Sequence, residues 1–301
     1  MSNEKLKDTI LRIMGEHIKQ NNGIILGEGV CGEGGSGYAV PVSPNVIDIP
    51  MSETAGADIA VGCALAGRRP IFLVKYQDFM LLGASPFITF SSVVKELQGV
   101  SSPVFIRAVG QDYFDSNHSN VLHSLFMHYP GIYVCAPMTS REYEEAWNTF
   151  MSDDKPFYCS EYKDSYNLSE EMIDEIHDDS VINVFCISKA RLNIAEAKKL
   201  LLDLGIKINV FHIAWLKPFN YSKYIPHLKK CPLGIVIDAD RVICGTPEHI
   251  AYQLMHSVKG SNVYALGIED VPKSTNPKYY NEVPSGSKIA QIIINILKKN
   301  K

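Results

Sequence analysis

The apolar positions along the chain follow two alternating patterns. Residues 4–20 carry Leu6, Ile10, Ile13, Met14 and His17 at helical spacing, which predicts an amphipathic opening helix. Short apolar runs come next: "GIIL" (23–26), "NVIDI" (45–49), "PIFLV" (70–74), "PVFIR" (103–107), "GIYVCA" (131–136) and "PFYC" (156–159). Runs so short and so continuously apolar suit parallel strands buried on both faces. Helical stretches are predicted between them, at about 53–66, 82–98, 119–128 and 140–151. After the polar patch "LSEEMIDEIHDDS" the alternation restarts with "VINVFCI", "IKINVFHI", "LGIVIDA" and "NVYALGI", separated by helical segments at 190–204, 246–258 and 286–298. The pattern predicts an α/β protein with two doubly wound, mostly parallel-sheet domains. Residues 1–165 form the first, 166–180 a linker and 181–301 the second.

Composition narrows the function classes. Hydrophobic residues make up 46% and charged residues 21%, the balance of a globular protein with a real core. Net charge is −4 and the one basic cluster is the final "KKNK", so nucleic acid is not an expected partner. The start, "MSNEKLKDTI", has no apolar signal core, and no run reaches the length of a membrane span. A cytoplasmic protein with no membrane partner is expected. Seven cysteines with neither C-x-x-C nor zinc spacing read as reduced, buried thiols. His118, His123 and His128 invite a metal reading, but steps of five residues turn about 140° on a helix, so the three cannot share a face. No metal ligand set is assigned.

"ILGEGVCGEGGSG" (25–37) contains G-x-G-x-x-G after an apolar run, with Asp48 further on. As a pattern this is a dinucleotide fingerprint. Such a loop must open a helix, because the pyrophosphate sits on the helix N-terminus. The stretch after Gly32, "EGGSGYAVPVSP", holds more glycines and two prolines and leaves no room for a crossover helix. The loop is expected to be irregular, its glycines allowing close backbone approach to some other group.

Three ordered blocks carry a family resemblance. Asp48, Pro50, Glu53, Gly67, Arg69, Pro70, Asp78 and Phe79 fall on D-x-P-x-x-E, a small-residue helix, G-x-R-P and a strand closing with D-F. "HSNVLHSLFMHYPGIYVCAP" is similar to H-S-Q…F-x-H-x-P-G-L-x-V-x-x-P, and Pro156, Glu161, Lys163 and Tyr166 to P-x-x-x-x-E-x-K-x-x-Y. Together they resemble the pyrimidine-binding domain of thiamine-diphosphate enzymes, specifically the beta subunit of the 2-oxo-acid dehydrogenase (pyruvate dehydrogenase-like) family. The likeness is sharpest over residues 23–166; the remainder resembles the transketolase C-terminal domain.

That resemblance implies roles. Glu53 would hold a proton at the cofactor's pyrimidine ring nitrogen; independently of the resemblance, Ser52 is of a type that caps the helix following it. Phe79 would stack on the pyrimidine, and Glu28 would be an acid beside the cofactor. His118 would act on protons or oxyanions of the substrate, while His128 would be structural. Glu53 and His118 are the implied catalytic residues; Glu28, Glu53 and Phe79 the implied cofactor contacts. The family binds diphosphate and Mg²⁺ through G-D-G and a later Asn on a separate domain, and this chain has no Asp-Gly dipeptide. The cofactor and its Mg²⁺ would therefore be shared with an alpha subunit carrying that motif, in an α₂β₂ assembly, with a lipoyl acyltransferase as a further partner. The implied function is decarboxylation of a 2-oxo acid and transfer of the acyl group. A split transketolase-like half is the alternative enzyme, and a non-catalytic scaffold the alternative of another class. Departures cluster at the expected pocket: Pro86-Phe87 in a helix about two residues longer than usual, and Lys75 where the family commonly has an apolar residue.

Overall fold

The computed structural model describes residues 4–112, 118–271 and 282–300. The described chain divides into two compact units: one runs to Glu171 and takes in Leu216–Pro218, the other comprises Met172–Trp215 and the chain from Phe219 onward.

The first unit is built on a sheet of seven strands. They are β1 (Ile25–Gly27), β2 (Val46–Asp48), β3 (Ile71–Val74), β4 (Phe105–Gly110), β5 (Tyr133–Cys135), β6 (Phe157–Tyr162) and β9 (Trp215–Lys217). Their order across the sheet is β2-β1-β3-β4-β6-β5-β9. Every pairing among the first six is parallel. All residues of β3, β4 and β6 are buried, as expected of central strands covered on both faces. The edge strand β2 buries Val46 alone and leaves Ile47 and Asp48 exposed.

The second unit holds β7 (Asn183–Ile187), β8 (Asn209–Ile213), β10 (Leu233–Arg241) and β11 (Asn262–Ile268), all parallel, in the order β11-β10-β7-β8. Strand periodicity sorts its core. Val184, Cys186, Ile235 and Ile237 pack with the helices Ala190–Asp203 and Gly286–Lys299. The alternate residues Phe185 and Phe211 stack with ring centroids 5.1 Å apart and meet the Tyr224 ring edge-on. Both faces of this sheet are covered, which is the α/β architecture the pattern predicts.

Three local expectations are corrected. The helix predicted at 82–98 begins earlier, as a 3₁₀ turn at Gln77–Phe79, and changes pitch along its length. Pro86–Ser91 is π-helical, so the extra residues around Pro86-Phe87 are absorbed inside the helix rather than looped out. The helix predicted at 119–128 is only His123–Met127, because backbone N–H groups ahead of it bond to side chains: Asn120 to Asp78 at 3.0 Å and Leu122 to Gln77 at 2.8 Å. Ser52 stands at the N-cap of the helix Glu53–Leu65, but its side chain makes no capping bond. Among the described residues no helix is long and apolar enough to cross a membrane.

Candidate active site

In parallel sheets the ligand crevice lies outside the carboxyl ends of the strands, where the strand order reverses. Here that point is around β1, which is flanked by β2 on one side and β3 on the other. The chain leaving each strand contributes a side chain to one open cleft of about 650 Å³: Glu28 after β1, Glu53 after β2, Lys75, Tyr76 and Phe79 after β3, and His118 after β4. The four residues implied by the sequence, Glu28, Glu53, Phe79 and His118, are thus brought together. The remaining walls of the cleft are mainly apolar, including Ile49, Phe72 and Leu82.

Glu53 opens the helix Glu53–Leu65 and is 8% exposed. Among the described residues its carboxyl makes no hydrogen bond or ion pair. Its carboxyl oxygens are not enclosed and reach the open cleft. Its neighbourhood is packed tightly: a Cβ on Gly83 would come within 3.2 Å of the Glu53 carbonyl, and Thr54 Oγ1 donates to the Leu82 carbonyl at 2.8 Å. These contacts hold the first turn of one helix against the next.

His118 stands in an aromatic corner. Its ring lies nearly perpendicular to Tyr76, with centroids 4.4 Å apart, and 5.3 Å from Phe79. The segment carrying it is fastened from below. Asp78 accepts from the Asn120 backbone N–H and from its side-chain amide. Gln77, fully buried, accepts from Leu122 N and from Tyr158 OH at 3.1 Å, and donates to Ser160 Oγ at 2.9 Å and Ala108 O. His123 is also fully buried and bonds Ser160 Oγ through Nδ1 at 3.1 Å, whereas His128 is exposed at the end of its short helix. The three histidines go to three different places. No group of His, Cys, Asp and Glu that could hold a metal occurs among the described residues.

The glycine loop has its own anchors. Asp48 accepts from the backbone N–H groups of Val30 and Cys31, so the acid downstream of G-x-G-x-x-G fastens the loop itself. The loop holds one helical turn, Glu33–Ser36, with no crossover helix after it. Gly29 has φ +56°, and a Cβ there would sit 2.9 Å from Lys75 Nζ. Beyond the loop, Tyr38 and Ala39 offer their carbonyls to Arg107, at 2.8 and 3.3 Å. Arg107 is fully buried on β4 and forms a two-pronged pair with Glu161 on β6, Nε–Oε1 2.6 Å and Nη2–Oε2 2.9 Å. Tyr143 OH and Tyr166 OH also donate to Glu161. Burial opposes the Arg107 charge, but the adjoining carboxylate outweighs it and holds the guanidinium well above its ordinary range. Burial and then the Glu161 charge push both phenols well up, so they remain donors.

Sequence reasoning missed Gln77, Tyr76 and the Arg107–Glu161 pair as supports of the site. The signal for the last was present: an arginine closing the otherwise apolar "PVFIR" demands a buried acid.

A parallel-sheet domain with a carboxylate, an aromatic ring and an imidazole at the switch point has the place and the residue types of a ligand site. The chain belongs to the transketolase pyrimidine-binding domain family, whose model matches residues 9–169. It is 24% identical over 277 residues to the beta subunit of acetoin:2,6-dichlorophenolindophenol oxidoreductase of Cupriavidus necator, a match covering 85% of this chain and 81% of that one. It is also 24% identical to the pyruvate dehydrogenase E1 component subunit beta of Porphyra purpurea, over 77% of this chain and 75% of that one. Among solved structures, a split-gene transketolase described as an inactive beta4 tetramer superposes with a TM-score of 0.77 at 14% identity, over 98% of both chains.

Proposed function

We propose that this chain is the beta-type, pyrimidine-binding subunit of a thiamine-diphosphate-dependent enzyme that decarboxylates a 2-oxo acid and transfers the acyl group. The observation that carries the reading is the one cleft shared by Glu53, Phe79 and His118. The residues fit the cofactor's aminopyrimidine: a mainly apolar wall, an aromatic ring to stack on, and the carboxyl of a largely buried glutamate open to the cleft. Thiamine diphosphate, when bound, supplies a nucleophilic carbon and an electron sink for cleavage beside a carbonyl. Glu53 would hold a proton at the pyrimidine nitrogen of the bound cofactor. Phe79 would position the ring, and Glu28, lining the same cleft, would be a second acid beside it. His118 donates to the substrate's carbonyl oxygen as negative charge develops there.

The diphosphate and Mg²⁺ are assigned to an alpha subunit bearing G-D-G…N, since this chain has no Asp-Gly dipeptide. We assign an α₂β₂ assembly, a lipoyl acyltransferase as acceptor, and the cytoplasm, whose reducing conditions suit seven free cysteines. Two relatives named as beta subunits support the need for a second chain.

The test is assembly. Thiamine diphosphate with Mg²⁺ is expected to bind tightly only when the alpha chain is co-expressed. Micromolar, Mg²⁺-dependent binding by the isolated chain would refute the shared site. His118→Ala in the assembled enzyme should leave cofactor binding near normal and slow the step after substrate addition by roughly 10²–10³, the usual effect of losing one oxyanion donor. Single-turnover kinetics reads this; an unchanged rate returns His118 to a structural role.

A further inference from the structure

Residues 118–122 belong to neither a helix nor a strand. Regular structure therefore does not fix the His118 imidazole, and its place depends on individual bonds. Two of them run to consecutive residues of the 3₁₀ turn Gln77–Phe79. Asp78 Oδ2 accepts from the Asn120 backbone N–H at 3.0 Å, and its Oδ1 accepts from the Asn120 side-chain amide. Gln77 accepts from Leu122 N at 2.8 Å. Phe79, the third residue of the turn, lines the cleft with its ring 5.3 Å from the imidazole. One turn thus locates both the ring that would stack on the cofactor and the imidazole that would meet the substrate.

Gln77 and Asp78 differ in what they hold. Gln77 is fully buried and also bonds Tyr158, Ser160 and Ala108, so it serves the packing of the sheet as much as the segment above it. Asp78 is only half-buried, and among the described residues both of its hydrogen bonds go to Asn120, two residues from His118. It is not among the residues lining the cleft, so it reaches neither cofactor nor substrate. A carboxylate that grips the backbone and the side chain of one residue fixes both its position and its orientation.

Resting on the thiamine-diphosphate reading above, we infer that Asp78 is a positioning residue for His118. Its clamp on Asn120 sets the distance and tilt of the imidazole relative to Phe79, and through them its aim at the substrate's carbonyl oxygen. A clamp that served stability alone would leave the surroundings of the imidazole and the step it serves unchanged when removed.

The deciding test needs neither cofactor nor substrate. Carbon-13 NMR of the full chain, labelled at histidine Cε1, reads the imidazole, with the His118 signal assigned by its loss in His118→Ala. His118 lies against the rings of Tyr76 and Phe79, so its wild-type signal should be displaced by their ring currents. Asp78→Ala should return it toward the position of an unstructured histidine. Asn120→Ala, which keeps the carboxylate and the backbone bond, should move it less in the same direction. Asp78→Asn should retain most of the displacement, because the new amide oxygen accepts the backbone N–H and the Asn120 amide can turn to accept from the new NH₂. An unmoved signal in Asp78→Ala, or in Asn120→Ala should the first variant not fold, overturns the inference. A kinetic cycle in the assembled two-chain enzyme, with pyruvate as the probe, adds a second reading. Asp78→Ala should slow the step after addition of the 2-oxo acid by roughly 10- to 100-fold, the scale of a misplaced group, with C2–H exchange of thiamine diphosphate unchanged. In a His118→Ala background the same substitution should cost nothing further, since its route to the reaction is the imidazole. An equal loss in both backgrounds overturns the inference. Failure of the cofactor reading shows separately, as absent C2–H exchange in the wild-type complex, and leaves the NMR result standing.

Discussion

Glu53→Gln in the assembled enzyme is expected to slow exchange of the cofactor's C2 proton by roughly 10²–10⁴-fold, the range of a lost general acid–base group. Amide and carboxyl are nearly the same shape, so the helix Glu53–Leu65 and its contact with Gly83 should stand. The competing view is that Glu53 is a first-turn acid favoured by the helix dipole. That role is worth only about 0.3–1 kcal/mol of stability and predicts no change in exchange. Magnitude separates the two, provided exchange is followed by NMR on cofactor-saturated complex, so that weaker binding is not mistaken for slower proton transfer. Exchange at the wild-type rate would remove Glu53 from the proton relay.

Glu161→Ala should be the most damaging change to the fold of the first unit. It strands a fully buried Arg107 charge and removes the acceptor of two buried tyrosines. Breaking one side of such a pair typically costs about 3–5 kcal/mol. The double variant Arg107→Met with Glu161→Leu should recover part of that loss, because no charge is then left unpaired. Recovery stays incomplete: the Tyr143 and Tyr166 hydroxyls and the carbonyls of Tyr38 and Ala39 keep no partner from this network. Urea midpoints of the three proteins measure the loss and its partial recovery. Equal midpoints for wild type and Glu161→Ala would show that the pair contributes nothing net. Cofactor affinity should fall with Glu161→Ala too, since Arg107 holds the end of the glycine loop that borders the cleft.

The sequence by itself determined the architecture and the shortlist. Strand-length apolar runs separated by helical spacing can be satisfied only by buried parallel sheets, and each of those runs became a strand, from Ile25–Gly27 to Asn262–Ile268. The shortlist of Glu28, Glu53, Phe79 and His118 came from the resemblance of three ordered motif blocks to a known family. The absence of room after Gly32 likewise ruled out a dinucleotide crossover, since a helix needs length and this stretch has glycines and prolines.

Tertiary structure decided what those residues touch. Asp48 reads as a ribose ligand by spacing alone, yet it caps the loop N–H groups of Val30 and Cys31. Gln77 and Asp78 look like ordinary polar residues beside Phe79, but they hold Leu122 and Asn120, forty-odd residues away in sequence. Periodicity carries no information about such bonds, because they join different strand ends that only sheet order makes adjacent. The short strand Trp215–Lys217 escaped prediction for the same reason: three residues carry too little pattern, and its place depends on the edge it completes. Lys75 shows both halves of the lesson. The sequence marks a cation in an apolar stretch, and the fold shows what it holds, the Gly29 carbonyl of the glycine loop.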